Sequence, residues 1–168
     1  MPNIVRNKDE IKRIPTYIQG FDEAVQGGVP EGHIVLMAGS AGTMKSSVSF
    51  NILYNEALAG KTCLYLTLEQ SYQSLINHCI NMGYDFTKVH TVIMRDLGNF
   101  QSDIAKLNAQ QGGNLIIVDI GCIRKEIKDV KVSENRSWLN VIKNVIKKIK
   151  TEAKLDSFVL DSMSALYV

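Results

Sequence analysis

Apolar residues recur along this chain in two alternating rhythms, short unbroken runs and longer stretches with helical spacing. Ile34-Val35-Leu36-Met37-Ala38 is an unbroken run ending in Gly39, as expected of a strand buried on both faces, and Ser46 to Leu58 follows with helical spacing. Gly60 is a helix stop, Thr62 to Leu68 reads as a second strand, and Ser71 to Met82, closed by Gly83, as a second helix. Val89 to Met94 predicts a third strand, Gln101 to Gln111 a third helix ended by Gly112-Gly113, and Leu115 to Asp119 a fourth strand. A polar loop is expected from Gly121 to about Val132. Ser133 then caps a helix whose Trp138, Val141, Ile142, Val145 and Ile149 share one face, and Phe158 to Asp161 forms the last strand. Ahead of all this, Pro15 and the run Gly27 to Gly32 punctuate a lead-in with one helical turn around Phe21 to Val25. Strand and helix in alternation imply an α/β fold, with a mostly parallel central sheet flanked by crossover helices on both faces.

Composition narrows this picture without changing it. The 168 residues are enough for one α/β domain with a sizeable core, and 45% hydrophobic with 21% charged residues excludes a disordered or fibrous chain. A formal net charge of +2 is too small to mark a nucleic-acid binder. Cys63, Cys79 and Cys122 are far apart, odd in number and without metal-ligand spacing, so they read as reduced thiols, mostly in the core, of a cytoplasmic protein. Residues 1–13 form a polar lead-in without the apolar core of a signal peptide, and no segment reaches a transmembrane length without a charge, so no membrane association is expected. His33, His78 and His90 lack paired spacing and receive no role.

Chemistry enters at the first junction of strand and helix. Gly39-Ser40-Ala41-Gly42-Thr43-Met44-Lys45-Ser46-Ser47 has the sequence context of a P-loop, a run of small residues between an apolar strand and a helix. Small residues let consecutive backbone N–H groups turn inward around phosphate oxygens, the helix N-terminus adds partial positive charge, and Lys45 reaches the terminal phosphates. Ser46 would hold Mg²⁺ through its hydroxyl. Met44 stands where the usual pattern has Gly directly before the lysine, and a positive φ there would cost about 1–3 kcal/mol. The competing reading is a glycine-containing turn with an unrelated lysine.

Together these segments resemble the KaiC branch of the RecA superfamily. Arg13-Ile-Pro-Thr-Tyr-Ile-Gln-Gly-Phe-Asp-Glu is similar to the lead-in of such domains, with Tyr17 where a Gly is common, and Gly27-Gly28-Val29-Pro30-Glu31-Gly32 to their turn into the first strand. Leu64 to Gln70 looks like the second strand with its acidic end, and Phe158-Val159-Leu160-Asp161-Ser162 like the Walker B strand. The resemblance implies a three-layer P-loop NTPase fold, ATP and Mg²⁺ as ligands, Glu69 as the residue that activates water, and Asp161 beside Ser46 on the metal. Related sites often carry a second Glu where this chain has Gln70. By periodicity alone Asp119 is equivalent to Asp161; the resemblance favours Asp161, because Asp-Ser followed by Leu166-Tyr167 is closer to the family's pattern, and leaves Asp119 as a strand-end residue.

The function this implies is a Mg²⁺-dependent ATPase acting at the subunit boundaries of a homo-oligomer, a hexameric ring when full length. Family domains continue past the Walker B strand, so residues 1–168 read as a single RecA/KaiC-like domain incomplete at its C-terminus. Met44, Gln70 and the early stop lean toward an alternative, a nucleotide-binding switch or scaffold for a regulatory protein partner with little hydrolysis. A recombinase-like DNA-dependent ATPase would need DNA-contacting loops that the sequence does not display. The lysines between Ser133 and Lys154, together with Arg136, lie opposite the apolar stripe and read as a solvated helix face rather than a nucleic-acid site.

Overall fold

The computed structural model describes residues 11–109, 112–129 and 138–166. The chain divides into two compact units, Met1–Ile52 and Leu53–Val168. In the first, β1 (Arg13–Ile14) pairs antiparallel with β2 (Val29–Pro30), and the expected helical turn between them is α1 (Phe21–Ala24). Asp22 organises the segment. Its Oδ1 accepts from the Thr16 N–H at 2.8 Å and the Thr16 hydroxyl at 2.7 Å, and its Oδ2 from the Tyr17 N–H at 2.9 Å. These bonds hold Tyr17 in the left-handed region, φ 59°, a conformation that favours glycine. Burial pushes the Asp22 carboxyl up, but the hydrogen bonds from Thr16 and Tyr17 outweigh it and leave the group below the usual carboxylate range.

The expected strand over Ile34–Ala38 is not formed. Residues 33–40 carry no regular structure and belong to neither sheet. Ile34 is 100% exposed and Leu36 75%. An apolar run favours burial, but a strand exists only when a neighbour's N–H and C=O groups take up its ladder, and no described strand does so here. α2 (Lys45–Leu58) follows, within one residue of expectation, and runs from the residues of the first unit into those of the second.

The second unit is built on a four-stranded sheet, ordered β4-β5-β3-β6, in which every pairing is parallel. The strands are β3 (Thr62–Thr67), β4 (His90–Met94), β5 (Asn114–Asp119) and β6 (Ser157–Asp161); the helices are α3 (Tyr72–Asn81), α4 (Phe100–Ala109), α5 (Ile120–Asp129) and α6 (Trp138–Glu152). Successive strand residues face opposite sides. Leu64, Leu66, Val92, Met94, Ile116 and Val118 share one side and form a core with Phe100, Ile104 and Leu107 of α4, Ile123 of α5, and Ile142, Val145 and Ile149 of α6. Each such side chain stabilises the fold by roughly 1.5–3 kcal/mol relative to exposure. Residues of the opposite parity, Cys63, Tyr65, Leu115 and Ile117, are equally closed off, so the central strands β3 and β5 are covered on both faces, with α3 against β5. The unbroken apolar runs of β3 and β5 follow from that double cover.

Helix ends obey local chemistry. Ser71 caps α3 by accepting from the Ser74 N–H at 3.3 Å, and Gly83 follows the helix at φ 89°. The polar loop expected from Gly121 begins instead as α5. Asp119 Oδ1 accepts from the Cys122 N–H at 2.9 Å, a cap at the helix start, and Ile120 and Ile123, three apart, are both buried. Two apolar residues and a cap fix this helix where overall polarity pointed to a loop. The proposed Ser133 cap, Arg136, the Trp138 side chain, Tyr167 and residues 1–10 of the lead-in lie outside the described residues. No helix among the described residues is long and apolar enough to cross a membrane.

Candidate nucleotide site

Residues Gly39 to Ser47 form one continuous turn running into α2. A Cβ at Gly39 would meet the Thr43 hydroxyl at 2.7 Å, so a larger residue there has to turn that side chain away. Thr43 is itself fixed, donating to the Ser40 carbonyl at 2.9 Å, and the Lys45 ammonium donates to the same oxygen at 2.8 Å. Thus both ends of the turn converge on one carbonyl. Gly42 takes φ 81° and Met44 φ 60°, so the position that usually carries glycine does require the left-handed region. The Met44 side chain is 60% exposed and fills no cavity that would repay the strain. Beyond it the helix closes at once, with the Val48 N–H donating to the Met44 carbonyl at 2.9 Å. Ser40, Ala41 and Thr43 are exposed, Lys45 and Ser46 half-buried and Ser47 buried.

In the second unit, parallel register sets two carboxylates at the C-terminal end of the sheet. Thr67 of β3 lies beside Asp161 of β6, and the Leu68 N–H continues the ladder to the Asp161 carbonyl at 2.7 Å. One residue further, Glu69 turns its carboxylate back over β6. Its Oε1 accepts a short hydrogen bond from the Ser162 hydroxyl and another from the Ser164 hydroxyl at 3.2 Å, and the two serine oxygens lie 2.5 Å apart. Gln70 points elsewhere: its carbonyl accepts from the Thr67 hydroxyl at 2.6 Å and its Oε1 from the Ser74 hydroxyl at 3.5 Å. Glu69 and Asp161 are therefore brought together at adjacent strand ends, where α/β sheets place their ligands.

Asp119 ends β5 at the same level as Thr67, but its carboxylate is spent on backbone. Oδ1 caps α5, and Oδ2 accepts from the Tyr72 N–H at 2.9 Å at the start of α3. Asp161 instead accepts from the Tyr65 hydroxyl at 2.5 Å. Sequence reading missed Tyr65 and Ser164. A lone tyrosine in a strand buried throughout was the available signal, since a buried phenol needs a partner. Two of the three cysteines are unreactive at neutrality: burial pushes both the Cys63 and Cys79 thiols up to about 12.

A parallel sheet with helices on both faces, and a glycine-bearing loop running into a helix, make this a RecA-like P-loop domain. The model of the KaiC ATPase family matches residues 14–168, and the chain belongs to that family. Nucleotide binding of the KaiC type is the function that membership supports. The chain is 32% identical to a UPF0273 protein of Saccharolobus solfataricus, over 94% of this chain and 50% of that protein. It is 35% identical to the circadian clock oscillator protein KaiC of Thermostichus vulcanus, over 45% of this chain and 15% of that protein. It is also similar to the crystal structure of a KaiC-like protein from Pyrococcus horikoshii, at 20% identity with a TM-score of 0.44 over 64% of this chain and 71% of that one. The chain spans about half the length of the UPF0273 relatives it matches.

Proposed function

We propose that this chain binds ATP and hydrolyses it in a Mg²⁺-dependent reaction at the subunit boundaries of a homo-oligomer, a hexameric ring. The observation that carries this reading is the pairing of Glu69 and Asp161 at the ends of adjacent parallel strands, with Glu69 held by two serine hydroxyls. Amides from Gly39 through Ser47 cradle the phosphates, and Lys45 leaves the Ser40 carbonyl for the terminal phosphate. The Ser46 hydroxyl and the Asp161 carboxylate are hard oxygen donors of the kind Mg²⁺ takes, and that ion needs only one or two protein oxygens besides phosphate and water. When bound, Mg²⁺ would neutralise the charge that develops on the phosphoryl oxygens. Glu69 orients the attacking water and accepts its proton, and the serines fix the carboxylate that does so.

A second reading is a nucleotide switch that binds a regulatory protein and turns over slowly. Gln70 favours it, because its side chain is engaged with Ser74, which leaves Glu69 as the one carboxylate of the pair of positions past β3.

Calorimetry with ATP, with and without Mg²⁺, paired with phosphate release from the purified chain, separates these readings. The enzyme reading expects Lys45→Ala to abolish release and Glu69→Gln to keep binding while turnover falls about 10²-fold or more. Undiminished turnover in Glu69→Gln rules out its role. Binding without release moves the conclusion to the switch, and no binding heat at all removes both.

A further inference from the structure

We infer that Tyr65 is a positioning residue for the metal-binding carboxylate, an inference that rests on the reading of Asp161 as the Mg²⁺ ligand. Tyr65 sits in the middle of β3, opposite Val159 of β6, and is 0% exposed. In a parallel pair the side chains two residues apart on neighbouring strands share a face, so a long side chain at 65 reaches diagonally to position 161. Its hydroxyl closes that diagonal at 2.5 Å from Asp161 Oδ2.

Three consequences follow from chemistry alone. A phenol donating to a carboxylate makes a charge-assisted bond, stronger than a neutral one. It occupies one carboxylate oxygen and fixes the torsion of the side chain; no described residue hydrogen-bonds Oδ1, which is left as the acceptor for a cation. The bond is also made from a ring locked in the sheet core, so the carboxylate is oriented by the rigid part of the fold rather than by the loop that follows β6. Partners of this sort, one step removed from a metal, typically change metal affinity by about ten- to a hundredfold when removed. Every other residue of β3 from Cys63 to Leu66 is aliphatic or a thiol, so the Tyr65 phenol is the one hydroxyl in that buried stretch.

Tyr65→Phe deletes the hydroxyl and keeps the ring, so folding is preserved. Mn²⁺ titration of the ATP complex, followed by electron paramagnetic resonance, reads metal affinity without turnover; calorimetry with ATP in EDTA reads nucleotide affinity alone. The expected result is about tenfold weaker Mn²⁺ binding, a matching rise in the Mg²⁺ concentration for half-maximal phosphate release, and metal-free ATP binding within about twofold of the parent. In an Asp161→Asn background the same substitution should have no further effect on Mn²⁺ binding. Unchanged Mn²⁺ affinity in Tyr65→Phe, where Asp161→Asn weakens it, overturns the role of Tyr65 and leaves Asp161 as a ligand. Unchanged affinity in Asp161→Asn itself overturns the ligand assignment, and the inference with it. Equal losses from Tyr65→Phe in both backgrounds show that the hydroxyl does not act through Asp161 and also overturn it.

Discussion

The Ser162 hydroxyl donates to Glu69 Oε1, joining the residue just past β6 to the residue just past β3 across the C-terminal edge of the sheet. Because Ser164 donates to the same oxygen, Glu69 is held by groups that follow β6 rather than by its own loop. Its position thus depends on the register between β3 and β6.

Ser162→Ala removes the shorter of these bonds and should lower the rate of phosphate release about tenfold, the loss expected for one hydrogen bond to a charged group. ATP affinity measured by calorimetry should stay within about twofold, since no phosphate-binding residue is altered. A loss of binding equal to the loss of rate would place Ser162 in nucleotide binding and not in the orientation of Glu69.

Asp119→Ala leaves two backbone N–H groups, those of Tyr72 and Cys122, without their acceptor. Urea denaturation should show a loss of about 2–4 kcal/mol, the sum expected for two capped helix starts. Asp119→Asn keeps one acceptor oxygen and should cost less. Mn²⁺ affinity of the folded Asp119→Asn protein should match the parent, the opposite of the behaviour expected for Asp161→Asn.

Met44→Gly should stabilise the protein by about 0.5–1 kcal/mol, because the left-handed φ of 60° is unfavourable for methionine and natural for glycine. The exposed side chain forfeits no packing. Met44→Val, branched at Cβ, should move the urea midpoint the other way. If Met44→Gly lowers the midpoint, the strain assigned to this position is absent.

Asp22 supplies a pH-dependent contribution to stability. Its folded carboxyl lies below the ordinary range, so the stability it confers is complete above the unfolded carboxylate value and is lost as pH falls through the lower, folded value. Asp22→Asn should therefore flatten the acid side of the stability profile and leave the slope above neutrality unchanged. Denaturant midpoints collected from pH 3 to 8 check this, and an undiminished acid slope in the variant would assign the effect to other carboxylates.

The sheet and most of its helices were legible because their signals are local. Thr62–Thr67 and Asn114–Asp119 are covered on both sides and so carry apolar residues without alternation, and Ser71 and Gly83 mark the ends of α3 chemically. Ile34–Ala38 carries the same apolar signal, yet the signal says nothing about which neighbour completes the ladder, and here the segment has none among the described strands. α5 was hidden for the reverse reason: its two buried isoleucines are outnumbered by polar residues, and its cap belongs to the preceding strand. At the site, periodicity could not separate Asp119 from Asp161, because both end buried strands. What separates them is the partner of each carboxylate, two backbone N–H groups for Asp119 and a phenol for Asp161. Tyr65 escaped notice because a hydroxyl adds nothing to a hydrophobic pattern.

The raised thiols of Cys63 and Cys79 also have a practical side. A maleimide reacts with thiolate, and two thiols that burial pushes up to about 12, one in β3 and one on the buried side of α3, present almost none to it at neutrality. Cys122, half-buried at the start of α5, is also pushed up by burial and by the neighbouring Asp119 carboxylate, but it is the least enclosed of the three, so a fluorophore attached at alkaline pH should go there without first removing a cysteine. Such a dye would sit one hydrogen bond from Asp119, next to the junction where two helices leave the sheet.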